Sequence, residues 1–435
     1  MLRAVPHRKV RAAAAGLSFC LVLPATSLAD SLGAQGSPIR TNDYTLDLFQ
    51  GPVLASARVT AMGGAFAGLA EGTEGIPTNL AAASQRYPYS TQRIDYELTA
   101  GVTFPSSIAH TDFENNGKDF GYRAFVWATV GGRLQVDHWG FGAIISLQNY
   151  SLGAPPQLPG SAPSDVKDLT VRIFKVDAVT SYGFYGDQLH VGGGVRGAVF
   201  TAVDTSSGED LLLGTYGVGA QAGVLLRPNN MPFRVGGTVR SPIIASFDLG
   251  RNQRQIGSFF LPSGVNLPWE VEWGTAVQLG PRPLNIGWTD ERTLPGGTRV
   301  ARRTVRQQYR DLPRQKLLLS FAMLATGPTS GAVGISSMLA QTIDRSGEKT
   351  SVTIRAGAEA EFLPNRLQLR VGSYMEPTRF RESHARLHGT TGFELRVVDW
   401  SVFGIFPEDN AFRVSGAIDA ARGYFGWSLG IGSWY

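Results

Sequence analysis

Beyond residue 90, apolar and polar residues alternate with period two over most of the chain. Ile94, Tyr96, Leu98, Ala100, Val102 and Phe104 share one face of an extended segment, and Arg93, Asp95, Glu97, Thr99 and Thr103 share the other. Successive side chains of a strand point to opposite faces, so each such segment predicts a strand with one apolar and one polar face. Trp269, Val271, Trp273, Val277 and Leu279 oppose Glu270, Glu272 and Gln278 in the same way. Val352, Ile354, Ala356, Ala358, Ala360 and Phe362 oppose Ser351, Thr353, Arg355, Gly357, Glu359 and Glu361. Leu367, Leu369, Val371 and Met375 oppose Arg366, Gln368, Arg370 and Tyr374. At the end of the sequence Phe425, Trp427, Leu429, Ile431 and Tyr435 point one way, against a face of mostly small residues.

Alternation alone suits a β-sandwich as well as a barrel. Length separates the two: the apolar runs extend over about ten residues, which a tilted membrane strand needs, whereas globular strands run about five or six. Connections tend to alternate. Tyr185-Gly186-Asp187, Pro228-Asn229-Asn230 and Leu363-Pro364-Asn365 read as tight turns, while Pro105 to Lys118, Gly153 to Lys167 and Gly250 to Leu267 are long. Short turns at one end and long loops at the other characterise transmembrane barrels. The expectation is an all-β, transmembrane antiparallel β-barrel of about 14 strands. Sixteen follows if Pro283 to Trp288 and Val398 to Gly404 form separate strands. Between Val171 and Phe184 the alternation changes phase, which fits either a β-bulge or a different register. The closing aromatic strand, through Phe425, Trp427, Leu429, Ile431 and Tyr435, is the expected contact for barrel-assembly machinery.

The first residues add a compartment. Arg3, Arg8, Lys9 and Arg11 precede the apolar run Ala12 to Leu23, and Ser27-Leu28-Ala29 has the small-x-small form of a signal-peptidase site. Residues 1–29 are therefore expected to be a cleaved signal peptide, 30–90 a distinct N-terminal segment and 91–435 the barrel. Cys20 is the only cysteine and lies in the cleaved part. The chain has 40 Lys+Arg and 35 Asp+Glu; without the four basic residues of the signal, 36 against 35 leave a net charge of +1. The basic pI gives no reason to expect nucleic acid as a partner. Glycine, 53 of 435 residues, exceeds the usual ~7%, and no stretch of the mature chain is apolar enough for a membrane helix.

Residues 30–90 differ in character. Small residues dominate Ala57-Arg58-Val59-Thr60-Ala61-Met62-Gly63-Gly64-Ala65, and Glu71-Gly72 and Asn79-Leu80-Ala81 follow. Such a composition permits close backbone approach and positive φ, as a segment packed inside something larger requires. The Met-Gly-Gly-Ala stretch, the acid at Glu71 and the Asn-x-Ala at Asn79, followed by a glycine-rich barrel, resemble the outer-membrane long-chain fatty-acid and hydrocarbon transporter superfamily. It is similar also to the related barrel subunits of type IX secretion. The specific motif is confined to Arg58 through Ala82. Where the superfamily usually has Asn-Pro-Ala this chain has Asn79-Leu80-Ala81, with the proline displaced to Pro77, and one acid, Glu71, stands where a pair of aspartates is common. The resemblance implies a monomeric fourteen-stranded barrel whose N-terminal segment forms a plug, with Met62, Gly63, Gly64, Glu71, Asn79 and Ala81 as plug and ligand positions.

Enzymatic chemistry is not expected: no Gly-x-Ser-x-Gly elbow occurs, and no cofactor is called for. His384 and His388 have a metal-binding spacing only if their segment is helical. Arg93, Asp95, Glu97, Glu270, Glu272, Arg355, Glu359, Glu361 and Arg370 fall on polar faces and are expected to line the lumen in pairs of opposite sign. Arg302, Arg303, Arg306 and Arg310 belong to a cluster with helical spacing beside Val305 and Tyr309. If helical and extracellular, it would bind the phosphates of anionic lipid such as lipopolysaccharide. The sequence thus points to the outer membrane and to passive uptake of hydrophobic small molecules such as long-chain fatty acids or hydrocarbons. The alternative is a non-transporting barrel that docks partner proteins through its extracellular loops.

Overall fold

The computed structural model describes residues 32–87, 90–105, 111–118, 121–153, 166–206, 210–247, 255–290, 292, 298–313, 316–381, 383–399 and 411–434. The signal-like segment and Tyr435 lie outside them.

Fourteen strands form one closed barrel. They are β1 (Ile94–Pro105), β2 (Tyr122–Val136), β3 (Trp139–Gly153), β4 (Asp168–Phe184), β5 (Leu189–Asp204), β6 (Asp210–Leu226) and β7 (Phe233–Arg240). The second half comprises β8 (Glu270–Leu279), β9 (Leu317–Thr326), β10 (Ser351–Leu363), β11 (Leu367–Glu376), β12 (Arg386–Asp399), β13 (Ala411–Ala421) and β14 (Tyr424–Ser433). Every strand pairs antiparallel with its neighbours in sequence, and the ring closes where Thr99 of β1 lies opposite Gly432 of β14. Pro283 to Trp288 holds no strand; of the other candidate, Val398 and Asp399 end β12, 400–404 lie outside the described residues, and β12 pairs directly with β13. The count is therefore fourteen.

Alternation sorts the wall. Leu98, Val130, Val195, Val218, Val371 and Ile431 all face outward and are between about half and three-quarters exposed. A continuous apolar outer surface on a closed barrel is the surface lipid requires, because every backbone group is already paired around the ring. This is a transmembrane barrel of the outer-membrane type. Among the described residues no helix is long and apolar enough to cross a membrane.

The phase change in β4 is not a bulge. Its ladders to β3 and β5 run without a register shift from Asp168 to Phe184. The inner face itself changes chemistry: Leu169, Val171 and Ile173 point inward and are buried, followed on the same face by Lys175 and Asp177. At 17 residues β4 is longer than the roughly 9–11 that span a bilayer, so its first turns project beyond the apolar belt. There the usual arrangement is inverted, with Arg172 and Asn149 outside, joined by a 3.2 Å hydrogen bond, and apolar side chains inside.

Those inner apolar positions belong to a core that closes the long-loop end. Phe125, Tyr150, Leu152, Val171, Ile173 and Phe200 of the wall pack with Tyr44, Leu46 and Leu48 from the N-terminal segment and with Phe259, Val265, Val333 and Met338 from the long loops. Thr45–Asp47 forms the middle strand of a small five-stranded sheet, pairing in parallel with the loop strand at Gly264–Leu267 and with Ala332–Val333. From this cap the chain descends through the lumen. It forms helix α1 (Ala57–Ala61) and 3₁₀ turns at Thr73–Gly75 and Leu80–Ser84 before entering β1 at the opposite, tight-turn end.

The arginine cluster is helical, in α2 (Thr298–Asp311), but it is not at the long-loop end. It connects the end of β8 to the start of β9, on the same side as the turns Tyr185-Gly186-Asp187 and Pro228-Asn229-Asn230. Arg302, Arg303, Arg306 and Arg310 thus belong to a helix at the tight-turn end, the periplasmic end of such barrels, whereas the lipopolysaccharide contact was expected at the long-loop end. The alternation of connection lengths gave no warning, because this one long segment breaks it.

Candidate functional site: a central cavity beside the lumen segment

Contact with the wall at several heights fixes the inner segment. Gly63 and Gly64 have φ of 61° and 73°, in the left-handed region that costs other residues energy. The chain there turns flat against the wall: a Cβ on Gly372 of β11 would lie 2.4 Å from the Gly63 nitrogen, and one on Gly357 of β10 would lie 2.5 Å from the Met62 carbonyl oxygen. Asn79 is fully buried; its Nδ2 donates to the carbonyls of Ala67 and Val224, both at 2.9 Å, and its Oδ1 accepts from Ala81 N at 3.1 Å. Asn79 thereby caps the following 3₁₀ turn and ties it to β6, doing so without a proline at position 80.

A chain of ion pairs crosses the lumen. Glu71 accepts from Arg58 at 2.8 Å and from Arg234 of β7 at 2.7 Å. Arg58 reaches Glu359 of β10 at 3.2 Å; Glu359 also meets Arg370 at 2.7 Å and Lys316 at 3.0 Å. Arg370 continues to Glu394, and Glu394 to Arg413, which bonds Glu74 of the inner segment. On the adjacent wall Glu97 holds Arg133 at 2.6 Å and accepts from Thr73 N at 2.8 Å. Buried charges of this kind are costly unless paired on every side, and here wall and inner segment both supply partners, joined at Arg58–Glu359, Arg234–Glu71 and Arg413–Glu74.

Between this network and the apolar cap lies a cavity of about 220 Å³. Leu48, Val53, Leu54, Trp127, Ile243 and Leu267 form its apolar wall. Its polar wall is nearly self-neutralised. Arg196 and Arg240 both approach Glu270 at 3.3 Å, Arg240 lies 3.7 Å from Glu272, and Arg355 pairs with Glu272 at 3.0 Å. Lys175 and Asp177 stand outside these pairs: Lys175 Nζ donates to Gln50 Oε1 at 3.0 Å, Asp177 Oδ1 accepts from Gln221 Nε2 at 3.0 Å, and neither has an ion-pair partner among the described residues.

The structure brings together Gly64, Glu270, Glu272 and Arg355 of the expected positions at this cavity. It places Glu71 and Glu361 at a second, lower pocket, and Glu97, Glu359 and Arg370 in the ion-pair chain. Asp95 binds Arg86 at 2.6 Å. Arg93 is not in the lumen: it precedes β1, is exposed, and meets Asp137 at the rim. His384 and His388 share no helix. His388 sits in β12, buried between Asp419 at 2.8 Å and Glu376 at 2.6 Å; His384 lies in the preceding connection, and its carbonyl accepts from Asn115. Sequence reasoning missed Lys175, Asp177, Arg196 and Trp127. Lys175 and Asp177 were legible as an inward pair two apart in β4, but the apolar residues preceding them on that face disguised it.

No protein-family profile and no curated protein matches the chain. Among solved structures it is similar to the CymD monoaromatic hydrocarbon channel, with 10% identity and a TM-score of 0.46 over 87% of this chain and 96% of that one. It is similar also to a Pseudomonas aeruginosa FadL homologue, with 11% identity and a TM-score of 0.46 over 92% and 99%. A third is the TodX monoaromatic hydrocarbon channel deltaS2 mutant, with 12% identity and a TM-score of 0.47 over 87% and 96%. At these scores the fourteen-strand closure rests on the chain's own hydrogen-bond ladder.

Proposed function

We propose that this barrel carries small hydrophobic molecules across the outer membrane, holding them in transit in the central cavity. The observation that carries the reading is the cavity's division into an apolar wall, including Leu54 and Trp127, and a polar wall with one unpaired cation, Lys175. Binding sites for small molecules are mostly apolar, with a few polar groups that fix orientation. An apolar body would pack against Leu54 and Trp127, and an acidic headgroup would replace Gln50 on Lys175. The inner segment, residues 30–90, acts as the plug of this channel, and the resemblance carried by Met62-Gly63-Gly64-Ala65 points the same way. The motif's other members, Glu71, Asn79 and Ala81, hold the plug in place; they do not touch cargo.

The test is mass spectrometry of an organic extract of the barrel purified in mild detergent, compared with a Leu54→Trp variant that fills the cavity. A fatty acid or hydrocarbon enriched in the first and depleted in the second supports transport. Identical extracts would remove the reading and favour a barrel that docks partner proteins.

A further inference from the structure

At the tight-turn end a second pocket of about 80 Å³ lies below the ion-pair chain, lined by seven cations and by two carboxylates, Glu71 and Glu361. Five of the cations have acidic partners. Arg58 and Arg234 share Glu71, Lys316 takes Glu359, Arg86 takes Asp95 and Arg133 takes Glu97. Arg227 and Arg282 have none among the described residues. Arg227, in the turn after β6, is 3% exposed; its Nη2 donates to the Ile286 carbonyl at 2.8 Å, and its Nε has no partner. Arg282, just beyond β8, is 8% exposed, with Nη1 unpartnered and its guanidinium 4.6 Å from the Tyr309 ring of α2.

Two buried guanidiniums without counter-ions are an expensive arrangement. Burial and the neighbouring Arg234 charge push Arg227 down to about 9. We propose that this pocket is a binding site for a phosphate group, held between Arg227 and Arg282 beneath helix α2. Guanidinium forks bind phosphate oxygens in pairs, and neither arginine has an ion-pair partner among the described residues that a phosphate would have to displace. Space is sufficient, since a single water needs roughly 10–15 Å³. The phosphate is either free or the phosphomonoester headgroup of a lipid on the periplasmic side. Tyr309 lines the same pocket, so an occupant would also fix α2 against the barrel. The site is separate from the central cavity and does not depend on what the barrel transports.

Isothermal titration of the full barrel in detergent, with inorganic phosphate and with dihexanoyl phosphatidic acid, tests this. The wild-type barrel is expected to bind phosphate saturably at one site. Arg227→Gln and Arg282→Gln each weaken it at least tenfold, and Arg172→Gln, on the outer face at the long-loop end, leaves it unchanged, with heat-modifiable migration confirming closed barrels throughout. Displacement of phosphate by the lipid identifies a headgroup as the source; binding of phosphate alone identifies the free anion. The proposal is overturned if the wild-type barrel binds neither probe saturably, or if binding survives both arginine substitutions.

Discussion

Arg413 of β13 and Glu74 of the inner segment meet at 2.5 Å although 339 positions of chain separate them. Both are buried, and Arg413 also holds Glu394 at 2.6 Å. The contact fastens the inner segment to the far side of the barrel from Arg234, so the segment is held from both walls. Removing one member of a buried pair typically costs about 3–5 kcal/mol, because the other charge is left uncompensated. Glu74→Ala is therefore expected to loosen the inner segment while the hydrogen-bonded ring stays closed. Single-channel recordings in planar bilayers should show conductance steps absent from the wild type; silent bilayers would mean the segment is held by other contacts.

Close backbone packing makes a separate prediction. A methyl at Gly372 would stand 2.4 Å from Gly63 N and 2.5 Å from the Met62 carbonyl carbon, and neither can yield without moving the segment. Overpacking of this kind costs about 1–3 kcal/mol. Gly372→Ala should lower the melting temperature, whereas Gly389→Ala on the neighbouring strand, where nothing lies within 4 Å, should not. Equal effects would show that the contact at Met62-Gly63 carries no special weight.

The seating of α1 is open to a covalent check. A Cβ built on Gly430 of β14 lies 3.8 Å from the Ala57 Cβ, the mean separation in a disulfide, roughly 3.8 Å. The Ser415 hydroxyl, 2.8 Å from the same point, can rotate away. An Ala57→Cys/Gly430→Cys barrel should cross-link under mild oxidation, as a shift in electrophoretic mobility reversed by reductant. Persistent free thiols would place α1 elsewhere.

Glu114, in the connection between β1 and β2, makes the cap pH-sensitive. Its carboxylate accepts from Ile335 N at 2.8 Å and from Ser336 N, joining one outer loop to another at α3 (Ile335–Ala340). Burial, outweighing these hydrogen bonds, raises it to about 7. A carboxyl raised on folding binds more protons folded than unfolded, so its contribution is full below the ordinary value of 4.5 and is lost as pH rises through about 7. Hydrogen-exchange protection at Ile335 and Ser336, corrected for intrinsic rates, should fall severalfold between pH 5 and 8. Glu114→Gln should flatten that dependence; a flat wild-type profile would contradict it.

The barrel was legible because lipid imposes one rule on every strand: Leu98 and Ile431 must face it, whatever lies inside. Where that rule stops applying, the pattern misleads. Val171 and Ile173 lie above the apolar belt and face inward to a core built with Tyr44 and Leu46, a pairing that local alternation does not encode. The seat of the Met62-Gly63-Gly64 turn was marked by small residues, but its partners Gly357 and Gly372 are some 300 positions away and look like ordinary strand glycines. The cavity itself was not legible. Lys175 becomes distinctive only when its neighbours Arg196, Arg240 and Arg355 are seen to pair with Glu270 and Glu272.

The most direct test of transport through the central cavity is uptake by cells whose only copy of the barrel is wild type, Leu54→Trp or Lys175→Gln, given radiolabelled toluene or decanoate. Filling the cavity with Leu54→Trp should reduce uptake of both compounds at least tenfold, and Lys175→Gln should reduce decanoate while sparing toluene. Unchanged uptake of both compounds by a correctly folded Leu54→Trp barrel would show that cargo does not pass through this cavity.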